Sequence, residues 1–94
     1  MAKQSTQTLS ADGNIDVQLT GRRDTFFVTG DFGGGSVEIR SSVDSTFTEY
    51  YAEETGQTAN FNWSPNANIP SGIWIRFNLS GSTSPDLDVN HFNG

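Results

Sequence analysis

The sequence DTFFVTGDFGGGSVEIRS, residues 24–41, decides the reading of the fold. Two short apolar runs, Phe26-Phe27-Val28 and Val37-Glu38-Ile39, flank the stretch Gly30-Asp31-Phe32-Gly33-Gly34-Gly35. Glycine takes positive φ without a Cβ clash, so this stretch can turn the chain sharply. A strand, a Gly-rich turn and a second strand predict a β-hairpin. Val37, Ile39 and Ser41 alternate with Glu38 and Arg40, which gives the second strand one apolar and one charged face.

Working outward, the same period of two recurs. Ile15, Val17 and Leu19 alternate with polar residues after the turn Asp12-Gly13. Residues 47–52 predict a further strand, and Glu53 to Gln57 a charged turn. Phe61 and Trp63 share a face, and residues 65–72, with Pro65 and Pro70, form a loop. The strongest strand runs from Ile73 to Leu79, with Ile73, Ile75, Phe77 and Leu79 inward and Trp74, Arg76 and Asn78 outward. Leu87, Val89 and His91 mark the last strand. No segment keeps helical spacing. About seven strands separated by turn signals predict an all-β chain, an antiparallel β-sandwich or small barrel. Residues 1–8, MAKQSTQT, are polar and aperiodic and predict a flexible N-terminal arm anchored by Leu9, with residues 9–94 as a single domain.

Composition narrows the function. The chain has 94 residues, 33% of them hydrophobic, with 10 Gly, and that suits a thin, turn-rich sandwich better than a helical bundle. Two Trp, two Tyr and seven Phe argue for a packed core over disorder. With no cysteine there is neither a disulfide nor a zinc-thiolate site. The net charge of −6 disfavours nucleic acid and anionic lipid as partners. No apolar run is long enough to span a bilayer, and the N-terminus lacks the apolar segment of a secretory signal. Folding in the compartment of synthesis, or release from a precursor, is the expectation.

Catalytic signatures do not assemble. His91, the single histidine, reads as a surface or half-buried strand residue, and no G-x-S-x-G elbow accompanies it. Asp12-x-Asn14-x-Asp16 opens like a calcium loop, but Val17 stands where Gly is required and Arg23 where Glu is required. Gly33-Gly34-Gly35 lacks the Lys-Ser/Thr of a phosphate loop. The expectation is therefore a non-enzyme with no cofactor and no metal site. Trp74 and Arg76, on the outward face of the strongest strand, are the first candidates for a protein interface, because Trp and Arg are enriched in hot spots. Lys3, Gln4 and Leu9 are candidates on the arm. A carbohydrate-binding module, with Trp63, Trp74 and Tyr50 as stacking platforms, is the alternative from another class.

Residues 25–39 (TFFVTGDFGGGSVEI), Ser42-x-Asp44 and residues 73–89 (IWIRFNLSGSTSPDLDV) resemble small β-sandwich virion proteins of tailed bacteriophages. Where that group often carries Asp-Gly-Gly, this chain has Asp44-Ser45-Thr46. The resemblance implies a structural role, foremost a capsid decoration or cement protein that stabilises the assembled head. It implies the major capsid protein or other virion proteins as partners, a possible homo-oligomer, and a location in the virion after synthesis in the bacterial host cytoplasm. A tail, baseplate or fibre accessory is the alternative within the same group.

Overall fold

The computed structural model describes residues 2–94, which form eight strands and no helix. The strands are β1 (Ala2–Leu9), β2 (Gly13–Gln18), β3 (Thr25–Asp31), β4 (Ser36–Ser42), β5 (Tyr51–Gln57), β6 (Phe61–Trp63), β7 (Trp74–Ser80) and β8 (Asp86–Asn93). They build two antiparallel four-stranded sheets, in the orders β1-β8-β3-β6 and β2-β7-β4-β5. The result is a β-sandwich wafer of 34 × 30 × 17 Å.

The alternating residues fill the space between the sheets. Phe26, Val28, Leu87 and Val89 project from the first sheet; Ile15, Val37, Ile39, Ile75, Phe77 and Leu79 project from the second. The Phe26 and Phe77 rings meet across the core with centroids 5.0 Å apart. Burying each such side chain contributes about 1.5–3 kcal/mol. Phe61 and Trp63 pack against the same core, and Trp63 lies 6.1 Å from Phe26, so the shared face expected for them holds.

The 24–41 stretch is not a hairpin. β3 pairs with β8 and β6, while β4 pairs with β7 and β5, so the two strands lie in different sheets. The glycine run carries the chain from one sheet to the other, and β3 and β4 both turn their apolar faces into the core. The glycines are required by close approach as well as by turning. At Gly33, with φ of 61°, a Cβ would stand 2.5 Å from the Thr83 carbonyl oxygen, and the Gly33 carbonyl accepts the Thr83 amide at 2.9 Å. Gly30, with φ of 124°, lies as close to the Asp86 carbonyl, where a Cβ would stand 2.3 Å away. The crossover is thus laid directly on the loop that joins β7 to β8.

Two further expectations change. Residues 2–8, read as a flexible arm, lie in β1, an edge strand paired with β8 from Ala2↔Asn93 to Leu9↔Leu87. Its side chains form a polar ladder: Thr6 donates to Asn90 (2.8 Å), Thr8 to Asp88 (2.7 Å) and Gln4 to Asn93 (2.8 Å). The strand expected at 47–52 begins only at Tyr51, and the expected charged turn Glu53–Gln57 lies within β5. Phe47 leaves the sheet with φ of 53° and lays its ring over the outer face of the second sheet.

Candidate functional site

The sheets end in four edge strands, β1, β6, β2 and β5, and a groove and the β1 edge are among the surfaces the fold leaves open. The first is a groove of about 560 Å³ at the seam beyond β4 and β5, roofed by the β6–β7 loop. β6 is only three residues long, so it leaves the seam beside β5 open. Ser41 and Ser42 form part of the groove wall, Ile69, Pro70 and Ile73 supply apolar surface opposite, and Glu49, Tyr50, Tyr51 and Glu53 complete the lining. The three exposed large hydrophobic residues among the described residues gather here: Val43 and Tyr51, each 80% exposed, and Tyr50 at 47%.

Local hydrogen bonds hold the groove's shape. The Ser41 hydroxyl donates to a Glu53 carboxylate oxygen at 2.6 Å, and the Ser42 hydroxyl donates to the Glu49 carbonyl at 2.7 Å. Asp44 accepts from the Thr46 amide and hydroxyl, which closes the turn between Val43 and Phe47 and holds the Asp44 carboxyl below its usual pKa. The Arg40 guanidinium lies 4.6 Å from the centre of the Tyr50 ring and pairs with Glu38.

The second surface is the free edge of β1, where Ala2, Lys3, Gln4, Thr6, Gln7 and Thr8 are exposed. Lys3 and Gln4 therefore stand on an accessible strand edge, while Leu9 is half-buried and packs against the core.

Trp74 and Arg76 face outward as expected, but neither stands free. Trp74 is half-buried between Gln18 and Ser42 of the neighbouring strands. Arg76 makes a two-pronged bond to Asp16, at 2.8 and 2.9 Å, and the Phe47 ring covers its guanidinium at 4.2 Å. The loop preceding β5 thus forms a small second core on the outer face of this sheet. Trp63 lies in the other sheet on the core side, so Trp63, Trp74 and Tyr50 do not form one platform.

His91 is not a surface residue. It is 4% exposed, its ring stacks on Phe26 at 4.6 Å, and its Nε2 lies 2.7 Å from an Asp24 carboxylate oxygen. Asp24 also accepts from the Thr20 hydroxyl (2.8 Å) and from the backbone amides of Thr20 and Gly21. Burial pushes the Asp24 carboxyl up, but the bonds from His91, Thr20 and Gly21 outweigh it and hold it below the ordinary value. These bonds fasten the Thr20–Asp24 turn to β8. Sequence reading missed Asp24 because a carboxylate in a turn gives no sign of the strand that lies over it.

The calcium-like run is likewise committed to structure. Asp12 accepts from the Gly81 and Ser82 amides and the Ser82 hydroxyl, Asn14 bonds to Asn78, and Asp16 holds Arg76. Among the described residues no group of three or more potential ligands gathers.

By its fold the chain is a two-sheet antiparallel β-sandwich. In comparison with known proteins, no family model, curated protein or solved structure matches it.

Proposed function

We propose that this chain is a non-enzymatic adhesion protein of a virion, most simply a capsid decoration protein that stabilises the assembled head. The observation that carries the adhesive role is the open edge of β1. Six of its eight residues are exposed, and no neighbouring strand covers its far side. A free edge of this kind accepts an extended segment from another protein by strand addition, with Lys3 and Gln4 placed to read side chains. The virion setting rests on the sequence resemblance. A protein that binds only the assembled shell stabilises it by mass action, without chemistry of its own.

The test is co-fractionation of the purified chain with capsids in a density gradient. Binding to shells at a fixed copy number, with loss on replacing residues 2–8 by a Pro-containing polar segment, is the expected result. Failure to bind shells, or undiminished binding by that variant, would end the reading. If β1 contributes as a hot spot, single substitutions at Lys3 or Gln4 should weaken binding by about 1–2 kcal/mol.

A further inference from the structure

The charges of this chain are segregated around one loop. Between Arg40 and Arg76 there are Asp44, Glu49, Glu53 and Glu54 and no basic residue at all. Glu49 and Glu53 line the aromatic groove. Of the five basic residues, Arg40 and Arg76 are already paired with Glu38 and Asp16. Arg22 and Arg23 are exposed together on the Thr20–Asp24 turn, and neither forms an ion pair among the described residues.

The placement of these two sets is the informative point. Arg23 borders a hollow of about 320 Å³ on one side of the 65–70 loop, and the groove lies on the other side; Ile69 lines both. A cationic half and an acidic, aromatic half therefore flank the same loop. Such a patch is self-complementary about a two-fold axis through that loop, because the rotation lays each half on the opposite half of the other copy.

We propose that a second copy of this chain occupies the groove, as a two-fold dimer in which Arg22 and Arg23 of each protomer meet Glu49, Glu53 and the exposed Tyr51 ring of the other. A guanidinium packs well on a tyrosine face beside carboxylates, and the groove already shows the arrangement once, with Arg40 over Tyr50. The dimer covers Val43, Tyr50 and Tyr51 and so removes the solvated apolar surface. The wafer is only 17 Å thick, which keeps this contact at the small end of stable interfaces, about 1,000–1,200 Å² in total. Association is therefore concentration-dependent, and the net charge of −6 on each copy makes it sensitive to salt. This inference is independent of the virion setting and of the β1 edge.

Sedimentation velocity over a range of concentrations tests it. The expected result is a monomer–dimer equilibrium that shifts by about tenfold between 50 and 500 mM salt. Arg22→Glu with Arg23→Glu should be monomeric, and so should Glu49→Lys with Glu53→Lys. An equimolar mixture of the two should recover a dimer, because both contacts then join opposite charges. Tyr51→Ser, at a site too exposed to affect folding, should weaken the dimer at least fivefold. A chain that stays monomeric at every concentration, a species that grows beyond two copies, or a mixture that fails to associate would each overturn the proposal.

Discussion

Asp24 offers the sharpest test of how this fold is held. Its carboxylate is buried and is bound by Nε2 of His91, the Thr20 hydroxyl and the amides of Thr20 and Gly21. Asp24→Ala leaves those donors without an acceptor in a region with little access to water. Each buried polar group left unpaired costs about 1–3 kcal/mol, and both His91 Nε2 and the Thr20 hydroxyl lose their acceptor. Partial relaxation of the 20–24 turn lets water reach the Thr20 and Gly21 amides, so the expected loss is about 3–5 kcal/mol. A domain of this size has a total stability of about 5–15 kcal/mol. Urea unfolding followed by tryptophan fluorescence reads the change as a fall in midpoint of about 2–3 M, for a slope near 1.5 kcal/mol/M. The pH dependence carries a sign. The Asp24 carboxyl titrates below its unfolded value when folded. Its stabilisation is therefore complete above the unfolded pKa, near 3.9, and is lost as pH falls through the lower folded value. The part of the gap between the natural chain and Asp24→Asn that comes from the carboxylate should shrink as pH falls below about 4. A loss under about 0.5 kcal/mol for Asp24→Ala, or a gap that widens in acid, would refute the argument.

Three further outcomes follow from the same packing. Gly33→Ala should lower stability by about 1–3 kcal/mol in thermal unfolding, because its Cβ meets the Thr83 carbonyl, whereas Gly34→Ala, with φ of 77° and open space around it, should cost only about 1 kcal/mol. Phe47→Ala should cost about 2–4 kcal/mol in denaturant and deshield Arg76, since the ring is buried against that guanidinium; the cation–π share is about 0.5–1 kcal/mol, and Phe47→Leu should retain most of the rest. Removing residues 2–8 should expose the β8 edge and speed amide exchange along β8, an effect that a flexible arm would not produce.

The alternation of Ile73 to Leu79 and of Leu87 to His91 was legible because a half-buried strand imposes a period of two on its residues whatever its neighbours are. Partner choice leaves no such mark. The 24–41 stretch shows this most plainly: a hairpin and a crossover between sheets both need two alternating strands and a flexible link. What separates them is whether the Val28 and Val37 strands pair edge to edge or stack face to face, and β8 and β7 decide that from far along the chain. β1 escaped notice for a related reason. It is held by Thr and Gln side chains bonded to Asn90, Asp88 and Asn93, so it needs no apolar face and displays none before Leu9.

The outer face of the second sheet separates two properties that sequence tends to merge. Pattern correctly places Trp74 and Arg76 outward, but outward does not mean free. Phe47 and Asp16 engage Arg76 from the loop before β5 and from β2. The residues left solvated instead are Val43 and Tyr50, in the loop between β4 and β5, and Tyr51, where β5 begins. A loop has no paired neighbour to impose an alternation on its residues or to cover their side chains. The missing strand partner that makes residues 43–50 a loop, where the sequence pattern suggests a strand, is therefore also what leaves these aromatic rings open to another chain.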